Sequence, residues 1–222
     1  NDLYRALFKN AMPHIEVVTA LAKEGKGLTR KEILSYTKLT DNGMFSTVLE
    51  ELEHCGFIRQ YTPLEGCGNM GGKRLNSDTL FQLVDFYTLF YFDFIKNNLY
   101  QDEHFWMVSM NSPLYYTWSG FAFERLCLSH LKQIKKKLGI AGVQTRACSW
   151  RSSSGPQGVQ IDLLIDRKDE TVNVCEMKYT NEEFEITKEY ESKLVNKLEV
   201  LAKETGIKKS LMLTLITTYG VK

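Results

Sequence analysis

Three charged side chains in the second half of the chain have the residue types that metal-assisted phosphodiester hydrolysis requires. Asp162 lies in the apolar run 160–166, and Glu176 and Lys178 lie in the apolar run 172–179. Carboxylate oxygens suit Mg²⁺ or Mn²⁺, with water and a substrate phosphate completing the coordination. A lysine beside them can orient the attacking water or neutralise charge that develops on phosphorus. The sequence therefore predicts Asp162 and Glu176 as metal ligands and Lys178 as a catalytic residue.

The two runs are predicted to form an antiparallel β-hairpin, because both are rich in β-branched residues and a short charged segment separates them. The favoured register pairs Asp166 with Val172. It places Asp162 opposite Glu176 on one face, whereas a slip of one residue would send them to opposite faces. Opposed side chains have Cβ atoms about 4.5–5.5 Å apart, so the two carboxylates repel unless a cation lies between them.

A fourth candidate residue, the acidic Glu124, lies on a long helix that is predicted to run from Trp118 to about Leu138. It interrupts the apolar stripe that includes Phe121 and Leu128. Burial of a carboxylate on a stripe that faces the core destabilises the fold unless the charge has a partner. The partner is either a basic side chain nearby or a site that uses the charge.

Composition excludes several function classes. The chain has 222 residues, enough for one large or two small domains, and its formal net charge of +1 gives no global reason to expect a nucleic-acid partner. Its five cysteines show neither a CxxC pair nor zinc-ligand spacing, and their apolar settings indicate reduced thiols in the cytoplasm. There is no signal peptide and no apolar run long enough to cross a membrane. Because the chain starts without Met inside a predicted helix, we expect a fragment of a longer protein.

Residues 1–78 are predicted to form a winged helix, in which three helices precede a β-hairpin. Thr29 is the expected N-cap of the second of these helices, with Glu32 at the capping-box position. The hairpin strands are predicted at 57–61 and 73–75.

The loop between these strands, residues 66–71, fits a glycine-rich GxGxxG pattern. It leads into a strand, so it lacks the helix N-terminus that holds phosphate, and it is interpreted as the wing. No nucleotide site is predicted in this chain. The third helix carries Asp41, Glu50, Glu51 and Glu53, and repulsion from DNA phosphates favours a protein-facing or structural role.

The remaining residues fall into two segments. Residues 79–117 are aromatic-rich and are predicted to be a helical linker, with a helix over 80–95. Residues 118–222 are predicted to form a helix, three strands, a helix and a last strand. Around the central hairpin, these are the helices over 118–138 and 184–202 and the strands over 143–150 and 210–217.

The pattern Asp162…Glu176-x-Lys178 resembles the signature of the PD-(D/E)XK nuclease superfamily, in which an acid on one strand precedes Glu-x-Lys on the next. The superfamily core has the element order αβββαβ that is predicted for residues 118–222. This chain has isoleucine before the acid where the superfamily often has proline. The resemblance implies a restriction-endonuclease-like α/β domain, and it implies that Glu124 matches the first-helix glutamate that points into the active site.

Nearly the whole chain resembles the C-terminal part of bacterial and archaeal AAA-type ATPases with a DUF234-like tail. The stretches 118–124, 160–167 and 175–178 carry this resemblance. In that family a P-loop ATPase module precedes a winged helix and a PD-(D/E)XK-like domain. The resemblance implies an ATPase module as a partner in a longer protein, and no residue of this chain is predicted to hydrolyse nucleotide.

Two functions remain open at this stage. In the first, Asp162 and Glu176 bind Mg²⁺ or Mn²⁺, Glu124 assists, and Lys178 positions water for cleavage of a nucleic acid. In the second, the fold is a regulatory or docking module of the ATPase and the acidic cluster is inactive. A solvent-exposed hairpin end, with Lys178 neutralising Glu176, fits the second function.

Overall fold

The computed structural model describes residues 2–24, 27–61, 79–96, 98, 104–110, 112–152 and 158–222. These residues form two compact units, which meet in the chain between Trp118 and Ser119. Both units combine helices with a β-sheet, so the chain has the predicted α+β class. Within the described ranges, no helix is long and apolar enough to cross a membrane.

Up to Leu83, the described residues of the first unit form four helices and three strands. In chain order these are α1 Asp2–Leu7, α2 Ala11–Lys23, β1 Leu28–Thr29, α3 Arg30–Tyr36, α4 Gly43–His54, β2 Ile58–Tyr61 and β3 Leu80–Leu83. The strand β3 lies between β1 and β2 and is antiparallel to both. The buried core includes Leu21, Ile33, Phe45, Leu52 and Leu83.

The predicted capping box at the start of α3 is confirmed. The backbone N–H of Glu32 donates to Oγ1 of Thr29 over 3.3 Å, and the backbone N–H of Thr29 donates to Oε2 of Glu32 over 2.7 Å. This reciprocal pair satisfies two N–H groups that the first turn of a helix leaves without partners.

The single helix predicted over 80–95 is wrong in its first part. The residues of β3 form a strand, and helix α5 Phe86–Phe90 begins only after Asp85, whose Oδ2 accepts from the N–H of Thr88 over 2.7 Å. A π-helical turn, Tyr91–Ile95, continues α5, and α6 Phe105–Ser109 follows. The predicted return strand at 73–75 and the glycine-rich loop at 66–71 lie outside the described residues.

The second unit has the predicted order of helix, three strands, helix and strand. Its elements are α7 Pro113–Ser129, which begins in the first unit, then α8 Leu131–Lys137, β4 Thr145–Arg151, β5 Gln160–Arg167, β6 Thr171–Lys178, α9 Lys188–Thr205 and β7 Ser210–Thr217. The sheet order is β4-β5-β6-β7. Strand β5 is antiparallel to both β4 and β6, and β7 is parallel to β6.

Two helix predictions in this unit need correction. The long helix predicted over 118–138 begins at Pro113 and is interrupted at His130, which has non-helical backbone angles. The helix predicted over 184–202 begins at Lys188, because Thr187 is in an extended conformation and its side chain caps the N–H of Tyr190. The first difference divides one predicted helix into α7 and α8, and the second moves the start of α9; the order of helical and strand regions stays as predicted.

The central hairpin is buried on both faces. The face that carries Leu163 and Ile165 is buried. The opposite face is buried too, because Leu164 and Val174 belong to one apolar cluster with Leu201 of α9. Strands covered on both sides have nearly continuous apolar sequences, which explains the two apolar runs.

Candidate functional site

The hairpin places Asp162 and Glu176 at one end of its paired segment. Strands β5 and β6 pair in the predicted register, with Leu164 opposite Val174. Because side chains alternate along a strand, Asp162 shares a face with Leu164 and Glu176 shares that same face with Val174. Each acid lies one residue beyond the last backbone pair of the two strands.

Glu176 is held by three donors, two of which come from α9. Its Oε1 accepts from the hydroxyl of Tyr190 over 2.7 Å, and Nζ of Lys178 lies 3.2 Å from the same oxygen. Its Oε2 accepts from Nζ of Lys197 over 2.7 Å. Only 13% of the Glu176 side chain is exposed, so these charge-assisted contacts are shielded from water.

These contacts set the ionisation of Glu176. Burial raises the pKa of its carboxyl group, but the hydrogen bond and charge of Lys197, together with Tyr190 and Lys178, lower it more. The net pKa lies below the usual range, so Glu176 is a carboxylate at neutral pH. The same contact with Glu176, added to burial, raises the pKa of the Tyr190 hydroxyl, which therefore stays a donor.

Glu124 and Asp162 complete the cluster. Burial and the nearby charges of Asp162 and Glu176 raise the pKa of Glu124, Arg125 and Lys178 oppose the rise, and the net pKa is about 7. Oδ1 of Asp162 accepts from the side-chain amide of its strand neighbour Gln160 over 2.7 Å. The four residues predicted from the sequence therefore lie close enough to influence one another electrostatically.

Tyr190 and Lys197 are the members of the site that the acid–acid–lysine pattern does not reveal. They lie seven residues apart on α9, on the same stripe as the buried residues Leu194 and Leu201. A lysine within an apolar helical stripe was the available signal, because such a position is unfavourable without an acidic partner. The identity of that partner depends on the packing of α9 against the sheet.

Function has to be inferred from this cluster itself. No family model, curated protein or solved structure matches the chain. The cluster combines two carboxylates on neighbouring strands, a carboxyl group that titrates near neutral pH and two lysines. Such a set can bind a hard cation, transfer a proton or stabilise negative charge on a phosphate.

The donor chemistry of the site fits a hydrated divalent cation. In the described part of the chain, no group of three or more His, Cys, Asp or Glu side chains is arranged to hold a metal ion. Mg²⁺ is commonly held by one or two protein carboxylates with water filling the remaining positions, and Asp162 and Glu176 provide two. Both oxygens of Glu176 accept from protein donors, so a cation that binds there has to share the carboxylate with Tyr190 and Lys197 or displace one of them.

Proposed function

We propose that the second unit is a PD-(D/E)XK-type, nuclease-like domain that binds Mg²⁺ or Mn²⁺ and hydrolyses phosphodiester bonds in nucleic acids. The observation that supports this function most directly is the clustering of Glu124 with Asp162, Glu176 and Lys178, three of them on adjacent strands and one on a preceding helix. The αβββαβ order of the unit supports the same proposal.

Each member of the cluster has a role that its environment permits. Asp162 and Glu176 would hold the cation, which would supply a Lewis acid and an activated water when bound. The ammonium of Lys178, 3.2 Å from Glu176, lies beside the ligand position and neutralises charge on the phosphate. Glu124, with a pKa raised to about 7, can accept or donate a proton at neutral pH.

For the first unit we propose a winged helix that makes little contribution to DNA binding. Helices precede a small antiparallel sheet, two of whose three described strands, β2 and β3, follow α4. Two acidic residues of α4 also form hydrogen bonds with other residues of the same unit. Oε2 of Glu51 lies 2.7 Å from Nε2 of His14, and Oε1 of Glu53 accepts from the N–H of Gln60 over 3.1 Å. An ATPase module in a longer protein is the partner proposed for this unit.

Thermal unfolding with and without Mn²⁺ tests the metal site. At one hundred times the dissociation constant, Mn²⁺ should stabilise the wild-type chain by roughly 2.7 kcal/mol. Asp162→Asn should lose this stabilisation, because an amide brings no charge to the cation. Asp166→Asn is the matched control, since Asp166 lies on the same strand but pairs with Lys209 at 2.7 Å; its response to Mn²⁺ should remain.

Cleavage is tested separately, by incubating the chain with a mixture of DNA and RNA and Mn²⁺. Lys178→Ala should keep the stabilisation by Mn²⁺ and lose cleavage, because the lysine acts on the transition state. Cleavage by Lys178→Ala at the wild-type rate would contradict this role.

A second function, that of a non-catalytic interaction module, is favoured by the three donors on Glu176. A carboxylate held by Tyr190, Lys178 and Lys197 can serve to anchor α9 to the sheet. If the wild-type chain and Asp162→Asn respond identically to Mn²⁺, this second function replaces the first.

A further inference from the structure

Lys197 occupies an unusual position for a lysine. Its neighbours on the same stripe of α9, Leu194 and Leu201, are almost fully buried, while its own side chain is 29% exposed. The ammonium group lies 2.7 Å from Oε2 of Glu176. A lysine can be accommodated on this stripe because the buried carboxylate compensates its charge.

The ammonium of Lys197 contacts the Glu176 carboxylate, which the proposed divalent cation would also bind. A cation bound to Oε2 would lie about 2.0–2.1 Å from that oxygen in the case of Mg²⁺, and two cations on one oxygen repel each other. Oε1 is held independently by Tyr190. The carboxylate can therefore keep its orientation through Oε1 when the contact at Oε2 changes.

We propose that Lys197 is a built-in competitor of the divalent cation. Its ammonium compensates the charge of Glu176 in the metal-free protein, and a cation that binds Oε2 either displaces the ammonium or is repelled by it. This inference rests on the proposed metal site at Asp162 and Glu176. It adds that metal affinity is set by a residue of α9 that does not bind the metal.

The competition predicts the direction in which metal affinity changes when the charge of Lys197 is removed. If the cation displaces Lys197, its apparent affinity is reduced by the fraction of molecules in which the ammonium has left the carboxylate. After displacement, the nearby ammonium still repels the bound cation. Removal of the charge at position 197 should therefore strengthen metal binding. A lysine with a merely structural role would weaken metal binding or leave it unchanged when removed.

Calorimetric titration of the full chain with Mn²⁺ tests the proposal. Lys197→Gln should bind Mn²⁺ about tenfold more tightly or better than the wild-type chain, a factor typical of one charge-assisted hydrogen bond. Lys197→Arg retains the charge and should bind close to the wild-type value. Lys193→Gln is the matched control, because Lys193 lies one turn earlier on α9 and pairs with the exposed Glu189.

The outcomes separate this proposal from the proposed function. If the wild-type chain and all three variants bind Mn²⁺ with equal affinity, the metal site stands and the competition is refuted. If none of the four binds Mn²⁺, both proposals fail. If Lys197→Gln is unfolded without metal, folding on addition of Mn²⁺ supports the competition, and failure to fold in Mn²⁺ overturns it.

Discussion

Replacement of Glu124 by Gln should remove a large part of the pH dependence of stability. Burial, followed by the charge of Asp162, raises the pKa of Glu124 from 4.5 to about 7. Because the folded pKa is the higher one, the protonated side chain stabilises the fold fully below pH 4.5, and this stabilisation is lost as the pH rises through 7. At about 1.4 kcal/mol per pKa unit, the rise in the pKa of Glu124 corresponds to up to about 3 kcal/mol in the free energy of unfolding.

Urea denaturation between pH 5 and pH 8, without divalent cations, measures the effect. Near pH 5 the wild-type chain and Glu124→Gln should have similar free energies of unfolding, because the amide resembles the neutral carboxyl group. By pH 8 the variant should be the more stable one, by up to about 3 kcal/mol.

The control for this comparison is Glu189→Gln. Glu189 pairs with Lys193, and that contact lowers its pKa, so the substitution should leave the pH profile between 5 and 8 unchanged. If Glu124→Gln instead follows the wild-type profile throughout, Glu124 is already ionised at pH 5. The inferred crowding of Glu124, Asp162 and Glu176 would then be wrong.

Two further predictions concern packing and capping. Leu201→Ala should lower the free energy of unfolding by about 2–5 kcal/mol in urea denaturation, because Leu201 is fully buried in the cluster beneath the hairpin. Val195 is exposed, so Val195→Ala is the control. A loss in Leu201→Ala no larger than that in the control would contradict this packing. Thr29→Ala should cost about 1 kcal/mol by the same measurement, since it removes the N-cap of α3. Thr29→Ser keeps the capping oxygen and should cost less, and equal losses in the two variants would argue against the cap.

The parts of the candidate site that are local in the sequence could be predicted from it. The hairpin joins two strands through a short turn, so alternation alone fixes which face Asp162 and Glu176 share. Lys178 follows Glu176 by two residues and therefore shares that face. No such rule connects Glu176 with Lys197, which is 21 residues away, because their contact depends on how α9 packs on the sheet.

Contacts between residues distant in sequence also explain why β3 is a strand and not part of the predicted helix. Leu80–Leu83 is a short apolar run, and periodicity alone does not separate a buried strand from a buried helix segment. The strand forms because Phe81 pairs with Leu28 on one side and with Gln60 on the other. These partners are distant in sequence, and the aromatic residues that follow made a continuous helix the simpler prediction.

The parallel pairing of β6 with β7 has a consequence for the time at which the acid–lysine cluster forms. On the β5 side the backbone pairs end at Cys175, whereas β7 pairs with β6 along its full length, opposite Glu176 at Leu215 and opposite Lys178 at Thr217. The backbone that presents these two side chains is thus fixed by a strand translated more than thirty residues later. This pairing of β6 cannot form until the ribosome has synthesised β7.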